Sequence, residues 1–407
     1  MHKKWLILLM VISLVLVMFS FGSFAGAEEP IKIGFIAPLT GSLAYNGGDM
    51  KKGAEIAVEE INAKGGIGGR KIQLVYGDTE AKPSEGVSVV KKLITRDKVL
   101  MVTGGYCSSV NIATSEVCER SKVPFVVAVA ISPTIIERGF EYIVRSCPDS
   151  PQWTTCMANW VLKSLKPERI GMFLENTDYG RDGGKIFSST IGPEKVLTTE
   201  YFNIGDTDFT TQLSKLKDLN LPVVYIVGST TEIALIFKQC HELGFTTQWV
   251  DMGGAFTAAF YKMAGRDGLY YVGNGIEPSL AAKGTIAAKF HEKYIKKYNE
   301  KSGIFSAQGY DAILVALEAI KRVFPLTGDL KKDREKIKNV LKEVSVDGVQ
   351  GPIKFNEKGQ QYTIPLNIIQ IQPMGSEGKP APAIISPVEI AGSKYMPPLP
   401  WKERPWK

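Results

Sequence analysis

The sequence predicts an α/β protein made of two doubly wound lobes, each built on a parallel sheet. The chain has 407 residues, which is too long for one ordinary domain of roughly 100 to 200 residues and enough for two. From Ile31 to Thr247 short apolar β-like runs alternate with longer amphipathic segments, which is the pattern of a parallel α/β sheet. The alternation pauses after Arg145 and starts again, and this pause separates the two predicted lobes.

The first predicted lobe opens with a strand at residues 31–37 and a helix at 48–63. The helix has Met50, Ala54, Ala57, Val58 and Ile61 on one face. The glycine run at 65–69 follows this helix and precedes a strand, the reverse of the order that phosphate binding needs, so it predicts a turn. The later elements are a strand at 71–76, a helix after Pro83, a strand at 99–102, a helix from Ser108 and a strand at 124–129.

The second predicted lobe repeats the alternation. Its helices are expected at 152–166, from Gly180, from Phe209 and at 232–243, and its strands at 170–174, 198–202, 223–227 and 248–251. Past Leu280 the pattern indicates two or three successive helices that end near Val344, followed by strands at 350–355 and 363–371. The proline-rich tail, residues 395–407, is expected to run extended over the surface.

The first 27 residues have the features of a secretory signal peptide. Lys3 and Lys4 precede an apolar run, and small residues close the segment at positions 25–27. We expect cleavage before Glu28, because the apolar run is too short to span a membrane comfortably. Residues 1–27 contain no cysteine, so we expect no lipid anchor and a mature protein that is freely soluble outside the inner membrane.

Composition and charge restrict the class of protein. The chain is 44% hydrophobic and 22% charged, which is ordinary for globular proteins and excludes disordered, collagen-like and polytopic membrane proteins. Loss of two signal-peptide lysines leaves 47 basic and 42 acidic residues, a net charge of +5 without a basic cluster. We therefore expect no nucleic-acid partner and no membrane-surface binding.

Cysteine and histidine usage argues against metal and nucleophile chemistry. The five cysteines are an odd number, so at least one must stay free or pair between molecules, and Cys147 with Cys156 is the preferred bridge. The sequence has no Cys-x-x-Cys pair, and the two histidines of the mature chain lie in polar stretches of predicted helices. We expect no metal site, no cofactor and no catalytic residues.

One loop has the composition of an anion site. Residues 103–109 (TGGYCSS) lie between the third predicted strand and the next helix. Ligands of open α/β sheets bind beyond the carboxyl ends of strands, where helix N-terminal N–H groups and serine hydroxyls suit a carboxylate. The alternative is that Ser108 only caps its helix, and both roles are compatible.

Several motifs together resemble the extracellular solute-binding proteins of branched-chain amino acid type ABC importers. They are KIGFIAPLTG at 32–41, GA at 53–54, EEINAKGGIGGRK at 59–71, YGD at 76–78, DYG at 178–180 and DGVQGP at 347–352. The resemblance covers nearly the whole mature chain in order. It implies the type I periplasmic-binding fold, a Venus-flytrap of two lobes joined by three crossovers.

The resemblance also implies boundaries, partners and a role. We expect an N-terminal lobe of residues 28–147 plus 278–352, a C-terminal lobe of 148–277 plus 353–394, and crossovers near 145–150, 273–278 and 351–354. The protein would be a periplasmic monomer that closes around a small carboxylate-bearing solute and delivers it to an ABC permease in the inner membrane. A ligand-sensing subunit for a signalling partner is the alternative on the same fold.

The resemblance transfers a ligand site residue by residue. Ser108 corresponds to the serine that receives the ligand carboxylate, and Tyr179 corresponds to a tyrosine that closes over the ligand. The full predicted set is Tyr45, Asn46, Tyr106, Cys107, Ser108, Ser109, Ala130, Ile131, Ser132, Asp149, Tyr179, Ser229, Gly254 and Phe256.

Two positions depart from the family pattern. Gly254 stands where a glutamate would meet an α-ammonium group, and Ile131 stands where amino-acid binders carry a threonine. Because an unpaired buried ammonium is costly, the sequence favours an amine-free carboxylate with an apolar or aromatic body, unless Asp149 or Asp251 substitutes. Phe256, Tyr179 and Trp153 would then supply flat apolar surface, although Trp153 equally suits a lobe core.

Overall fold

The structure is a computed structural model that describes residues 29–254, 256–374, 379–388 and 390–404. The predicted signal peptide at 1–27 lies outside the described residues.

The first lobe is built on a parallel sheet with the strand order β2-β1-β3-β4-β5. Its strands are β1 Ile31–Ala37, β2 Ile72–Asp78, β3 Met101–Gly104, β4 Phe125–Val127 and β5 Ile143–Arg145. Its first helices are α1 Ala44–Ala63, α2 Pro83–Thr95 and α3 Ser108–Arg120. Strand β1 is apolar except for Lys32, and its other residues are buried, because helices cover both faces of a parallel sheet. The predicted alternation is confirmed here, except that the short β5 was not predicted.

The second lobe repeats the same construction. Its first strands are β6 Ile170–Glu175, β7 Val196–Phe202, β8 Val223–Val227, β9 Gln248–Asp251 and β10 Val272–Gly275. Its helices are α4 Ser150–Trp160, α5 Asp178–Ile191, α6 Thr210–Asp218, α7 Thr230–Glu242 and α8 Ala258–Ala264. The bounds of β8 and β9 agree with the sequence prediction. Strand β10 and helix α8 were not predicted, because each is short and contains or adjoins glycines.

The chain then returns to the first lobe. It forms α9 Ile286–Tyr298, α10 Ile304–Val323 and α11 Leu330–Leu341, followed by the antiparallel pair β11 Ser345–Asp347 and β12 Pro352–Lys354. Helices α1 and α10 approach closely, since a Cβ at Gly53 would lie 1.8 Å from the carbonyl oxygen of Ser306. Glycine at this position is therefore needed for the two helices to pack.

The last strands, β13 Asn367–Met374 and β14 Lys379–Ser386, extend the second sheet, whose order is β14-β13-β10-β9-β8-β6-β7. Both pair antiparallel, so this sheet is mixed rather than wholly parallel. Sequence alternation indicates parallel strands only where helices of the same lobe intervene. No helix lies between β13 and β14, and the helices between β10 and β13 belong to the first lobe. The prediction of a two-lobed α/β fold is nonetheless confirmed.

The chain passes between the sheets at 146–149, at 276–285 and at 362–366. The third passage comes later than the expected 351–354. Residues up to Gln361 stay beside the first sheet, because Arg145 N donates to Gly359 O and Gln361 N donates to Arg145 O. The buried Arg145 side chain also donates to Gln360 Oε1 at 2.6 Å, so two passages are tied together.

The proline-rich tail packs on the second lobe instead of only lying over its surface. Trp401 is buried, stacks on His241 and donates from Nε1 to Phe245 O. Arg404 lies over the Trp401 ring at 3.6 Å. The tail packs more closely than predicted because the Trp401 indole and the Arg404 guanidinium stack, which the proline content of the tail does not indicate. Within the described ranges, no helix has both the length and the apolarity to cross a membrane.

Candidate ligand-binding cleft

A cleft of about 670 Å³, including the part open to solvent, lies between the two lobes. Its walls come from the ends of strands and the starts of helices, which is where open α/β sheets bind ligands. The first lobe and the α4 start contribute Leu43, Tyr106, Cys107, Ser108, Ser109, Val129, Ile131, Trp153, Ile304, Phe305 and Gln308. The second lobe contributes Glu175, Thr177, Tyr179, Ile204, Ser229, Met252, Gly253 and Gly254.

The first wall contains the N-terminus of α3. Cys107 is its N-cap and makes no side-chain cap hydrogen bond, so Ser108 is the first helical residue and is not the cap. The Ser108 hydroxyl is buried and accepts from Ser132 N at 3.3 Å. Ser108 and Ser109 line the cleft at the first turn of α3, where helix N–H groups have no intrahelical partner, an arrangement that suits an anion.

Tyr106 lies on the same wall and is held from behind. Its hydroxyl accepts from Asn46 Nδ2 at 2.6 Å, and its ring packs edge-on against Phe305 at 5.0 Å. Asn46 is thus a support for Tyr106 and does not line the cleft. Tyr45 also lies off the lining and is 41% exposed.

Apolar side chains form most of the remaining surface. Val129 and Ile131 follow β4, and Ile304 and Phe305 begin α10. Trp153 belongs to the core and to the lining together: it is 3% exposed, and its Nε1 donates to Pro148 O at 3.0 Å. This surface is suited to bury an apolar ligand body.

The second wall carries a buried carboxylate. Glu175 is the last residue of β6 and is 3% exposed. Its two oxygens accept from Thr177 Oγ1 at 2.7 Å and from Ser229 Oγ at 3.0 Å. The pKa of Glu175 is raised to about 7, chiefly by burial and also by the nearby Glu232 carboxylate, while the two hydroxyl donors oppose the rise.

Tyr179 occupies the space next to Gly254. A Cβ built at Gly254 would lie 2.4 Å from Tyr179 Oη and 2.8 Å from Gly228 O. The second neighbour is backbone and cannot rotate away. A glutamate side chain at this position therefore does not fit beside Tyr179.

Four further predicted residues lie outside the lining. Ala130 is buried in the first-lobe core, and Phe256 stacks on Tyr271 at 5.0 Å in the second-lobe core. Asp149 caps α4 by accepting from Gln152 N and lies 3.7 Å from Arg145. Ser132 donates to Asp182 Oδ2 at 2.5 Å, so it joins the lobes instead of facing the cleft.

Neither proposed substitute for the missing glutamate faces the cleft. Asp149 has the capping role described above, and Asp251 Oδ2 accepts from the Tyr271 hydroxyl at 2.6 Å within the second lobe. The structure instead brings Glu175, Thr177 and Gln308 to the cleft, which the sequence prediction missed. A charged residue at the carboxyl end of a buried strand was the available signal for Glu175.

The predicted bridge between Cys147 and Cys156 is wrong. All five cysteines are free thiols. Cys147 is buried before the start of α4, whereas Cys156 lies within that helix and is half-buried. The Cys156 thiol instead contacts the Asn274 side chain. Within the part of the chain that the structure describes, no group of three or more His, Cys, Asp or Glu side chains is placed to hold a metal ion.

Comparison with known proteins decides the family. The model of the periplasmic binding protein family matches residues 30–379. The chain belongs to this family. A Leu/Ile/Val-binding protein homolog from Brucella melitensis is 30% identical over 306 residues, which cover 74% of this chain and 81% of the relative.

Two solved binding proteins have the same fold. A leucine-binding protein from Thermotoga maritima is 29% identical with a TM-score of 0.78, covering 88% of this chain and 99% of the other. A branched-chain amino acid transporter substrate-binding protein from Streptococcus pneumoniae, solved with isoleucine, is 26% identical with a TM-score of 0.77, covering 88% and 100%. The predicted family membership and type I periplasmic-binding fold are thus confirmed.

Proposed function

We propose that this protein is the substrate-binding component of an ABC importer, which captures a small carboxylate-bearing solute between its lobes and delivers it to a permease in the inner membrane. The observation that carries this proposal is the uncapped start of α3 inside the interlobe cleft, flanked by Ser108 and Ser109. Relatives named for leucine or branched-chain amino acid binding support the same class of solute.

The binding energy would come from two sources. The ligand carboxylate would accept from the first-turn N–H groups of α3 and from the Ser108 hydroxyl, and hydrogen bonds to a charged group contribute about 1.5–3 kcal/mol each. The apolar lining around Val129, Ile131 and Phe305 would bury the ligand body. Burying a leucine-sized side chain contributes about 1.5–3 kcal/mol.

Lobe closure would select solutes that touch both walls. The lobes meet in this structure through the hydrogen bond from Ser132 to Asp182. A ligand that contacts both walls binds the closed form more tightly than the open form, so it shifts the population toward closure. The closed form is then the form that a permease would recognise.

The proposed role requires no bond making or breaking. Cys107 is the nucleophilic candidate in the cleft, and burial together with the Glu175 carboxylate raises the pKa of its thiol far above the ordinary value. A protonated thiol is a poor nucleophile. No histidine is among the described residues that line the cleft and could act as its base. We also propose that the protein is secreted by a cleaved signal peptide and acts in the periplasm as a monomer.

A thermal-shift screen of the mature protein tests this role. One panel contains amino acids, a second contains aliphatic and aromatic acids without an amine, and a third contains sugars and polyamines. A ligand at a hundred times its dissociation constant adds about 2.7 kcal/mol to the free energy of unfolding, enough to raise the melting temperature by several degrees. A shift with either acid panel supports the proposal, and shifts confined to the third panel, or none, would contradict it.

A further inference from the structure

Glu175 is the one formally charged side chain among the described residues that line the cleft. It is buried, and its hydrogen-bond donors, the Thr177 and Ser229 hydroxyls, are neutral. Within the described ranges no lysine, arginine or histidine forms a salt bridge with it, and the charge of Glu232 raises its pKa. The protein thus buries this carboxylate at the ligand site without a cation of its own.

An uncompensated buried carboxylate is costly, and proteins keep buried charges paired. A cationic group on the ligand would supply the missing partner. Gln308 is a second indication of a ligand donor: its Oε1 atom is buried without a hydrogen-bond partner in the described structure, and the residue lines the cleft. Buried acceptors of this kind are normally satisfied.

The space at Gly254 explains why the acid lies on β6. Tyr179 Oη and Gly228 O leave no room for a side chain at Gly254, so a carboxylate on this wall must come from another strand. Glu175 ends β6, which β8 separates from β9 in the sheet, and the helix that carries Tyr179 starts three residues later at Asp178. The second wall therefore lacks an acid at position 254 but has one at position 175.

The charge balance also distinguishes two classes of ligand. An amine-free carboxylate would bring a second negative charge into a cleft that already holds Glu175, and its only described compensation would be the helix N-terminus of α3. A zwitterion brings one cation and one anion, which match the two walls. The zwitterion is the better electrostatic fit.

We propose that Glu175 pairs with the ammonium group of the ligand and is the residue that selects α-amino acids with an apolar side chain over their amine-free counterparts. This inference rests on the proposed function and reverses the preference for amine-free acids that Gly254 suggested in the sequence. The family resemblance places an acid only at position 254, so the assignment of Glu175 comes from the structure alone.

Calorimetric titration with two matched ligand pairs tests the assignment. The pairs are leucine with 4-methylpentanoate and phenylalanine with 3-phenylpropanoate, in which the second member lacks only the amine. The proteins are the wild type, E175Q and the control E277Q, since Glu277 also accepts from two hydroxyls, Tyr261 and Ser279, and does not line the cleft.

We expect the wild type and E277Q to bind one amino acid at least 30-fold more tightly than its amine-free partner. We expect E175Q to lose about 30-fold or more in affinity for that amino acid, the range for truncating one partner of a buried charge pair, and to bind the amine-free acid at least as tightly as the wild type does. The melting temperature of ligand-free E175Q shows whether the variant is folded, and the wild-type preference does not depend on the variant.

Two results would overturn the role of Glu175 while leaving the transport role intact. The first is wild-type protein that binds the amine-free acid as tightly as the amino acid or more tightly. The second is folded E175Q that binds the amino acid as the wild type does. Binding of neither pair by the wild type would count against the proposed function itself, and the role of Glu175 would fall with it.

Discussion

The two walls of the cleft differ in kind. The first-lobe wall has no formal charge among its described residues and offers N–H groups and hydroxyls at the start of α3, whereas the second-lobe wall presents the Glu175 carboxylate. One wall therefore suits an anion and the other a cation. Neither wall alone is sufficient to select a ligand. Closure of the lobes brings together two half-sites of opposite charge preference.

Removing the Ser108 hydroxyl tests the first wall and should have a larger effect than the changes at Gly254 and Ser132. We expect S108A to weaken binding by about 1.5–3 kcal/mol, or about 10- to 150-fold, because a hydrogen bond to a charged carboxylate is lost. The loss should be equal for leucine and 4-methylpentanoate, since both carry the carboxylate. Calorimetry measures it, with S121A at the opposite end of α3 as the control. A loss confined to the amino acid would contradict the division between the walls.

Adding one methyl group at Gly254 tests the second wall. The new Cβ would lie 2.4 Å from Tyr179 Oη and 2.8 Å from Gly228 O, and overpacking of this kind costs about 1–3 kcal/mol. We expect G254A to weaken ligand binding about 5- to 150-fold. The effect should shrink in a Y179F background, where one of the two clashing atoms is absent.

The matched control for G254A is G48A, because a Cβ at Gly48 in α1 would meet no atom within 4 Å. Equal losses for G254A in the wild-type and Y179F backgrounds would show that the Tyr179 hydroxyl does not restrict position 254.

The contact between the walls should have the smallest effect. Ser132 Oγ donates to Asp182 Oδ2 across the lobes, and a typical hydrogen bond contributes about 0.5–1.5 kcal/mol. We expect S132A to weaken binding of either ligand about two- to tenfold by destabilising the closed form. S189A, an exposed serine on the same helix as Asp182, is the control, and an unchanged affinity of S132A would show that this bond does not support closure.

The sequence pointed to the helix start on the first wall, but it gave no sign of the packing around Gly254 on the second wall, for a physical reason. The first wall depends on a local signal, because serines at the start of a helix after a strand predict N–H groups directed at an anion. The second wall depends on packing between separate loops, since the Tyr179 hydroxyl, the Gly228 carbonyl and Gly254 meet only in the folded lobe. No pattern in the sequence shows that this contact excludes a side chain.

The fold was predictable to a similar degree. Helices between strands gave the parallel part of both sheets, whereas β13 and β14 pair antiparallel without an intervening helix. The role of Asp149 as a helix cap beside Arg145, and that of Asn46 behind Tyr106, likewise depend on tertiary contacts. The family resemblance indicated that these residues lie near the cleft, but it did not indicate what their side chains contact.

The pH dependence of binding tests the charge on the second wall most directly. Burial and Glu232 raise the pKa of Glu175 to about 7 in the ligand-free protein, and a bound ammonium would lower it, so binding leucine releases a proton. Tyr106, Cys107 and Tyr179 also face this region, and burial holds their pKa values far above the ordinary range, so they stay neutral between pH 6 and 8.

Calorimetric titration of the wild type with leucine and with 4-methylpentanoate at pH 6, 7 and 8 is therefore the decisive measurement. We expect leucine affinity to be greatest at pH 8 and to fall about tenfold by pH 6, a factor of ten per pH unit being the limit for one proton. Affinity for 4-methylpentanoate should change in the opposite direction, because protonated Glu175 removes the second negative charge. Leucine affinity that is constant or rises toward pH 6 would contradict the pairing of Glu175 with the ligand ammonium.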